Sequence, residues 1–306
     1  MNLKRITLYP IKSLGGVSVE SADVDTKGLC YDRRYMLVTP SADGSSGTFI
    51  TQRTHHHMAL IDVAMDVPSG EPSGNTLRVW HRHVPDDVLT LPLVPPPPAD
   101  GSTRATLPVD IWGSEGVSAR LISAEADAWF SRVLGKPCRL VYMPDETRRT
   151  ITSSRVQAPD DADRVVSFAD GLPILIATQA SLDELNRRLA EEAAEPLSMA
   201  RFRPNLVVDG LCWPHDEDTW HTFQIGAGTF YGVKPCIRCV LTTIDPATGE
   251  RGQEPLKTLA TYRRHGNDVL FGENVMPAPV SVGQTIRVGD SLTVLRRKAP
   301  WLPVGV

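Results

Sequence analysis

Cys236 and Cys239 form a C-x-x-C pair in the segment KPCIRCVLTTIDPATGE; the other cysteines, Cys30, Cys138 and Cys212, are isolated. A structural zinc site needs four N or S ligands, usually as two close pairs. No second cysteine pair exists, and His55, His56 and His57, if they lie on a strand, point to alternating faces. A thioredoxin-like redox pair must open a helix. Cys239 is instead followed by VLTTID, a β-branched run that reads as a strand. Two ordinary buried thiols are a third reading. If the strand begins near Cys236, positions three apart face opposite sides, so one of the two thiols faces any given pocket. Arg238 beside Cys239 favours its thiolate. A thiolate at a strand end is a suitable soft ligand for a single metal centre.

Other polar residues sit in similarly unusual settings. Lys12 and Ser13 follow the run ITLYPI and precede Gly15 and Gly16. Asp32, Arg33 and Arg34 run straight into YMLVT, and Arg203, Pro204 and Asn205 lead into NLVVDG. Each alone reads as an exposed charge. Together they would supply cationic and amide donors for a phosphate-bearing ligand. There is no G-x-G-x-x-G and no G-x-x-x-x-G-K-[ST], so those nucleotide motifs lend no support.

The elements that must position these residues are mostly strands. VSVESADV, RRYMLVT, GTFITQ, MALIDVAM, TLRVW and LTLPL recur between turn signals, the spacing of a small barrel or sandwich. PSGEPSGN and the proline-rich stretch from Val94 to Arg104 read as loops. Ser123 is the expected N-cap and Gly135 the stop of a helix in SAEADAWFSRVLGK. Ser181 and Glu184 make an S-x-x-E capping box for SLDELNRRLAEEAAEP, with Leu182, Leu185 and Leu189 as its apolar stripe. LKTLATYRRHG reads as a third helix ending at Gly266. NLVVDG, TFQIGAGTFYGV and QTIRVGDSLTVLR read as further strands.

With 306 residues, 41% hydrophobic and 22% charged, the chain can bury one large core or two smaller ones. A net charge of -4 with both signs dispersed argues against a nucleic-acid surface. No apolar run approaches the ~18 residues of a membrane span, and MNLKRITLYPIKSL lacks the apolar core of a secretory signal. Five cysteines are too few for a disulfide scaffold. The expectation is a soluble cytoplasmic protein without a membrane partner.

The segments LYPIKSLGG, LCYDRRYMLV, FRPNLVVDG, PCIRCVLTTIDPATG, PLKTLATYRR and LFGEN, in this order and with a terminal VGD, resemble the MOSC family (molybdenum cofactor sulfurase C-terminal domain) with its N-terminal β-barrel partner. The similarity spans residues 1–296 and is nearest to the branch with the mitochondrial amidoxime-reducing component and its bacterial relatives. It implies a β-rich α+β fold. An N-terminal β-barrel-like domain (1–115) would pack, intertwined, against a MOSC β-barrel domain (116–296) with flanking helices, followed by a tail (297–306). The groove between them would hold a molybdenum cofactor, with Cys239 as metal ligand and catalytic residue. The resemblance assigns cofactor contacts to Lys12, Ser13, Arg34 (or, with a one-residue slip, Arg33), Arg203, Asn205 and Arg238, and around FADG to Asp170 and Gly171. It implies reduction of small N-hydroxylated compounds. Because the chain ends at APWLPVGV without an iron–sulfur module, electrons are expected from a separate protein, a reductase, ferredoxin-like protein or b-type cytochrome. The alternative is a carrier that transfers the cofactor or its sulfur through a persulfide on Cys239.

Overall fold

A computed structural model describes residues 1–66, 75–97, 105–160 and 162–303. The loops expected at PSGEPSGN and in the proline-rich stretch fall largely outside the described residues. The first strand, Asn2–Leu8, buries Leu3, Ile6 and Leu8, its two-residue alternation broken by a register shift between Leu3 and Arg5. It pairs antiparallel with Leu206–Asp209, which runs parallel to Ile174–Thr178. The sheet continues through Asp268–Pro277, Gly228–Ile237, Trp220–Ile225 and Leu292–Arg297. The chain's opening strand thus belongs to a sheet built mainly from its second half.

The intervening segment closes a five-stranded barrel from Thr106–Ile111, Ser114–Leu121, Arg139–Tyr142, Tyr35–Pro40 and Gly47–Phe49. Residue 115 lies within one of these strands, and Arg139–Tyr142 extends the barrel well past it. A meander of Ile61–Asp66, Thr76–His81 and Val84–Pro92 packs beside it. Its core joins Leu77, Val79, Leu89 and Leu91 to Trp129 and Phe130. The large sheet has its own core around Ile6, Ile176, Leu206, Trp220 and Phe223.

Among the described residues, three helices flank the strands. The first, α1 (Ala124–Leu134), begins and ends as its sequence dictates: Ser123 accepts from the Ala126 N–H, and Gly135 turns left-handed at φ 65°. The second, α2 (Gln179–Glu191), starts earlier than the capping box suggested. Its cap is Thr178, which accepts from Ser181 N–H. The Ser181 hydroxyl is instead buried and donates to the Glu217 carboxylate at 2.8 and 2.9 Å. The third, α3 (Leu256–Tyr262), ends before Gly266, because Arg264–His265 folds back on Asp268 and Val269 as a hairpin. Gly266, at φ 61°, occupies that turn.

Two other expectations fail for local reasons. VLTTID is not a strand: Val240–Thr243 is a 3-10 turn, with the Thr242 and Thr243 hydroxyls donating back to the carbonyls of Cys239 and Val240 at 2.9 and 2.8 Å. His56 and His57 likewise sit on a 3-10 turn, His56–Leu60, and their rings lie 4.2 Å apart.

Candidate functional site

The loops at one edge of the large sheet meet the barrel rim and enclose a cleft. Its inner half is lined by Lys12, Ser13, Arg33, Asp170, Gly171, Arg203, Asn205, Cys236, Arg238 and Asn274. The outer half shares Asp170, Gly171, Cys236, Arg238 and Asn274, and adds Arg53, Lys234 and Cys239. Both halves are open to solvent and together form a concave site of the kind that takes a small molecule. Among the described residues, six cations line the cleft and Asp170 is the one carboxylate on its wall. In a chain of net charge -4 this is a local reversal of sign.

Strand ends place these groups. Asn205 precedes Leu206–Asp209 and is 1% exposed. Its Oδ1 accepts from Arg33 Nη1 at 2.9 Å and from Leu175 N–H at 3.2 Å, and its Nδ2 donates to Thr7 O at 3.1 Å. Asn205 therefore ties three segments together and aims Arg33. Ser13, Arg33 and Arg203 all have positive φ (68°, 50° and 53°), a left-handed backbone that costs a non-glycine residue about 1 kcal/mol or more. Three such residues in one cleft mark a wall whose shape is held against local preference.

The cations differ in what they already touch. Lys12 is 4% exposed, donates to Phe168 O at 2.8 Å and pairs with Asp170. Burial pulls its ammonium down to about 8, while Asp170 works the other way. Burial opposes the charge of Asp170 too, yet Lys12, Arg53 and the Trp112 indole N–H hold its carboxyl below the usual range. Arg33 pairs with Asp32. Arg203 lies over the Tyr9 ring at 4.1 Å, and no described residue accepts a hydrogen bond from its guanidinium. Burial lowers its pKa to about 10. Arg238 donates to Cys236 Sγ and Phe202 O, both at 2.9 Å, and its Nε is buried without a partner. Guanidiniums left short of acceptors in a partly buried wall are fitted to an anion that supplies them.

Cys239 caps the turn Val240–Thr243, half-buried, with a free thiol. Cys236 does not face away, as strand alternation from a start at Cys236 implied. The strand runs up to Ile237 and not onward from Cys236, and its register slips between Pro235 and Ile237. Both thiols line the outer half. Arg34 does not line the cleft. Its guanidinium turns the other way, donating to Met143 O at 3.0 and 2.8 Å and pairing with Asp145 and Asp25. Of the adjacent pair, the cleft takes Arg33.

Several contributors were not legible beforehand. Arg149, 5% exposed, donates to the carbonyls of Ser167, Ala169 and Asp170 at 3.0, 2.6 and 2.9 Å and so fixes the segment that carries Asp170 and Gly171. Burial lowers its pKa to about 10. Arg53 stacks on Trp112 at 4.1 Å and pairs with Asp170 at 2.9 Å. Nothing in the spacing of TFITQRTHH or DETRRTIT sets these arginines apart from exposed ones.

A barrel set against a larger sheet that takes in the chain's opening strand, with two thiols among cations in the cleft, defines a class of β protein whose cleft suits an anion and has a soft ligand to offer. The MOSC domain matches residues 163–293, and the MOSC N-terminal beta barrel domain matches residues 1–137. The chain belongs to the MOSC-domain family. It is 32% identical over 305 residues to mitochondrial amidoxime-reducing component 1 of Mus musculus, covering 95% of this chain and 81% of that protein. The Homo sapiens counterpart is 30% identical over 308 residues, covering 95% and 82%. Molybdenum cofactor sulfurase of Oryza sativa subsp. japonica is 30% identical over 321 residues, but the chain spans 35% of its length. No described helix is long and apolar enough to cross a membrane.

Proposed function

We propose that the chain binds a molybdenum cofactor through Cys239 and reduces N-hydroxylated compounds such as amidoximes, hydroxylamines and N-hydroxylated bases. The observation that carries this reading is the Cys239 thiol, which among the described residues makes no hydrogen bond, in a cleft where Arg53 and Arg238 each keep a buried Nε without an acceptor. A pterin phosphate brings about two negative charges. Burying them costs several kcal/mol unless cations and donors meet them. Lys12, Arg33, Arg203 and Arg238 converge on the inner half and fit that need. Ser13, Gly171 and Asp170 shape the wall, and Asn205 holds Arg33 in place. The Cys239 thiolate is a soft ligand suited to the metal.

The bound centre would supply two-electron oxygen-transfer chemistry, while the protein positions it and tunes its charge. In the overall reaction the N–O bond breaks, two electrons and two protons are taken up, and an N–H bond and water form. The electrons would come from a separate donor protein, a reductase, ferredoxin-like protein or b-type cytochrome. The relatives named for amidoxime reduction support this reading.

The relative named for sulfuration of the cofactor supports a second one, in which Cys239 carries a persulfide that is transferred onward. Elemental analysis of protein made in a cofactor-synthesising host separates the two. About one molybdenum per chain with little zinc is expected for a metal bound by a single thiolate, together with amidoxime reduction driven by reduced viologen but not by NADH alone. Stoichiometric zinc without molybdenum overturns the first reading. A persulfide on Cys239 in metal-free, sulfur-transferring protein establishes the second.

A further inference from the structure

The outer half of the cleft carries cations that the inner half does not need. Cys239 lines the outer half and not the inner one, and so do Arg53 and Lys234. No described carboxylate pairs with Lys234, whose backbone carbonyl is held by Asn274 Nδ2 at 3.2 Å. Arg53 is held between Trp112 and Asp170, yet its Nε is buried and meets no partner. Asp170 cannot neutralise this set, because Lys12, Arg53 and the Trp112 indole already share its two oxygens. A molecule that approaches the Cys239 sulfur through the outer half passes two cations on its wall, Lys234 and Arg53.

We infer that Lys234 and Arg53 select substrates: the outer cleft takes N-hydroxylated compounds that carry an anionic group, carboxylate or phosphate, on the side remote from the N–O bond. Two cations on one wall raise the local concentration of anions and lower that of cations. Trp112 holds Arg53 in place by stacking on its guanidinium. The inference rests on the reductase reading for the reaction and on the cleft's own charges for the selectivity.

The test uses the cofactor-loaded full chain with reduced viologen and three para-substituted benzamidoximes: unsubstituted, carboxylate and phosphate ester. The carboxylate or phosphate compound is expected to have the higher kcat/KM, and the larger advantage identifies the preferred anion. Lys234→Glu should cut the anionic-to-neutral ratio by about fivefold or more, through KM, and raising the salt concentration should compress it. Equal specificity constants for the charged and neutral compounds, or a ratio unmoved by Lys234→Glu, overturn the assignment. If none of the three is reduced, the reductase reading fails by itself, and a second measurement still decides the charge selection. In cofactor-free protein the rate of Cys239 alkylation by iodoacetate, relative to iodoacetamide, is read by mass spectrometry. The ratio should fall about fivefold or more in Lys234→Glu. An unchanged ratio overturns the selection in the absence of any turnover. Circular dichroism confirms that each variant is folded.

Discussion

Arg238 donates from Nη1 to the Sγ of Cys236 at 2.9 Å, so the two thiols of the C-x-x-C pair meet different partners in one cleft. Cys236 engages the guanidinium; Cys239 offers a free sulfur. Cys239→Ser is expected to lose molybdenum, because serine is a harder and far less acidic ligand. Cys236→Ser should retain most of it, since a hydroxyl still accepts from Arg238. Cys236→Leu strips Arg238 of that acceptor and should deplete the cofactor. Metal content of the three purified proteins checks this. Equal metal loss in both serine variants would point to a two-cysteine site.

Arg203 and Arg187 make a matched pair for testing the anion wall. Arg203 is held over Tyr9 and has no acceptor of its own among the described residues. Removing a charge-assisted contact worth roughly 1.5 to 3 kcal/mol weakens binding by about ten- to a hundredfold. Arg203→Ala should therefore stay folded while pterin and molybdenum content fall. Arg187, exposed on α2 and paired with Glu184 and Glu191, should be silent when changed to alanine. Arg203→Ala with full pterin content, or unfolded, defeats the anchoring role.

Arg149 should behave differently, as a positioning residue. It satisfies three carbonyls between Ser167 and Asp170 from a buried position. Arg149→Met leaves those carbonyls short of donors and is expected to cost about 2–4 kcal/mol of stability. Urea unfolding of the cofactor-free protein measures it. A variant as stable as the parent would show that the segment is held by something else.

Much of this architecture is legible in the chain. Ser123 and Gly135 bracket α1 because a cap and a left-handed stop act within a few residues. Lys12, Arg203 and Asn205 stand beside strand ends that the pattern locates. What escapes is decided by contacts distant in sequence. Ser181 looks like a cap but is claimed by Glu217, and Arg33 and Arg34 look alike until Met143 O takes one of them. Arg53 and Arg149 reach the site only because the barrel rim folds against the sheet edge. VLTTID has the composition of a strand, yet threonine hydroxyls bonding to the local backbone tip it into a turn.

Lys12 gives the site a pH signature. Burial lowers its pKa from 10.5 to about 8, against the pull of Asp170. In the cofactor-free chain its positive charge is therefore lost as pH rises through about 8. Affinity for a polyanion such as pyrophosphate should weaken over that window. The bound anion favours the ammonium, so binding above the window should be accompanied by proton uptake, seen by calorimetry in two buffers of different ionisation enthalpy. The stability effect has the opposite sign. The folded chain holds this proton less tightly than the unfolded one, so burying Lys12 costs stability below pH 8. That cost is relieved as pH climbs from about 8 towards 10.5. Lys12→Gln should bind pyrophosphate more weakly at neutral pH and lose both trends. An affinity that stays flat through the window in the parent, or that falls equally in Lys12→Gln, would show that another group carries the charge.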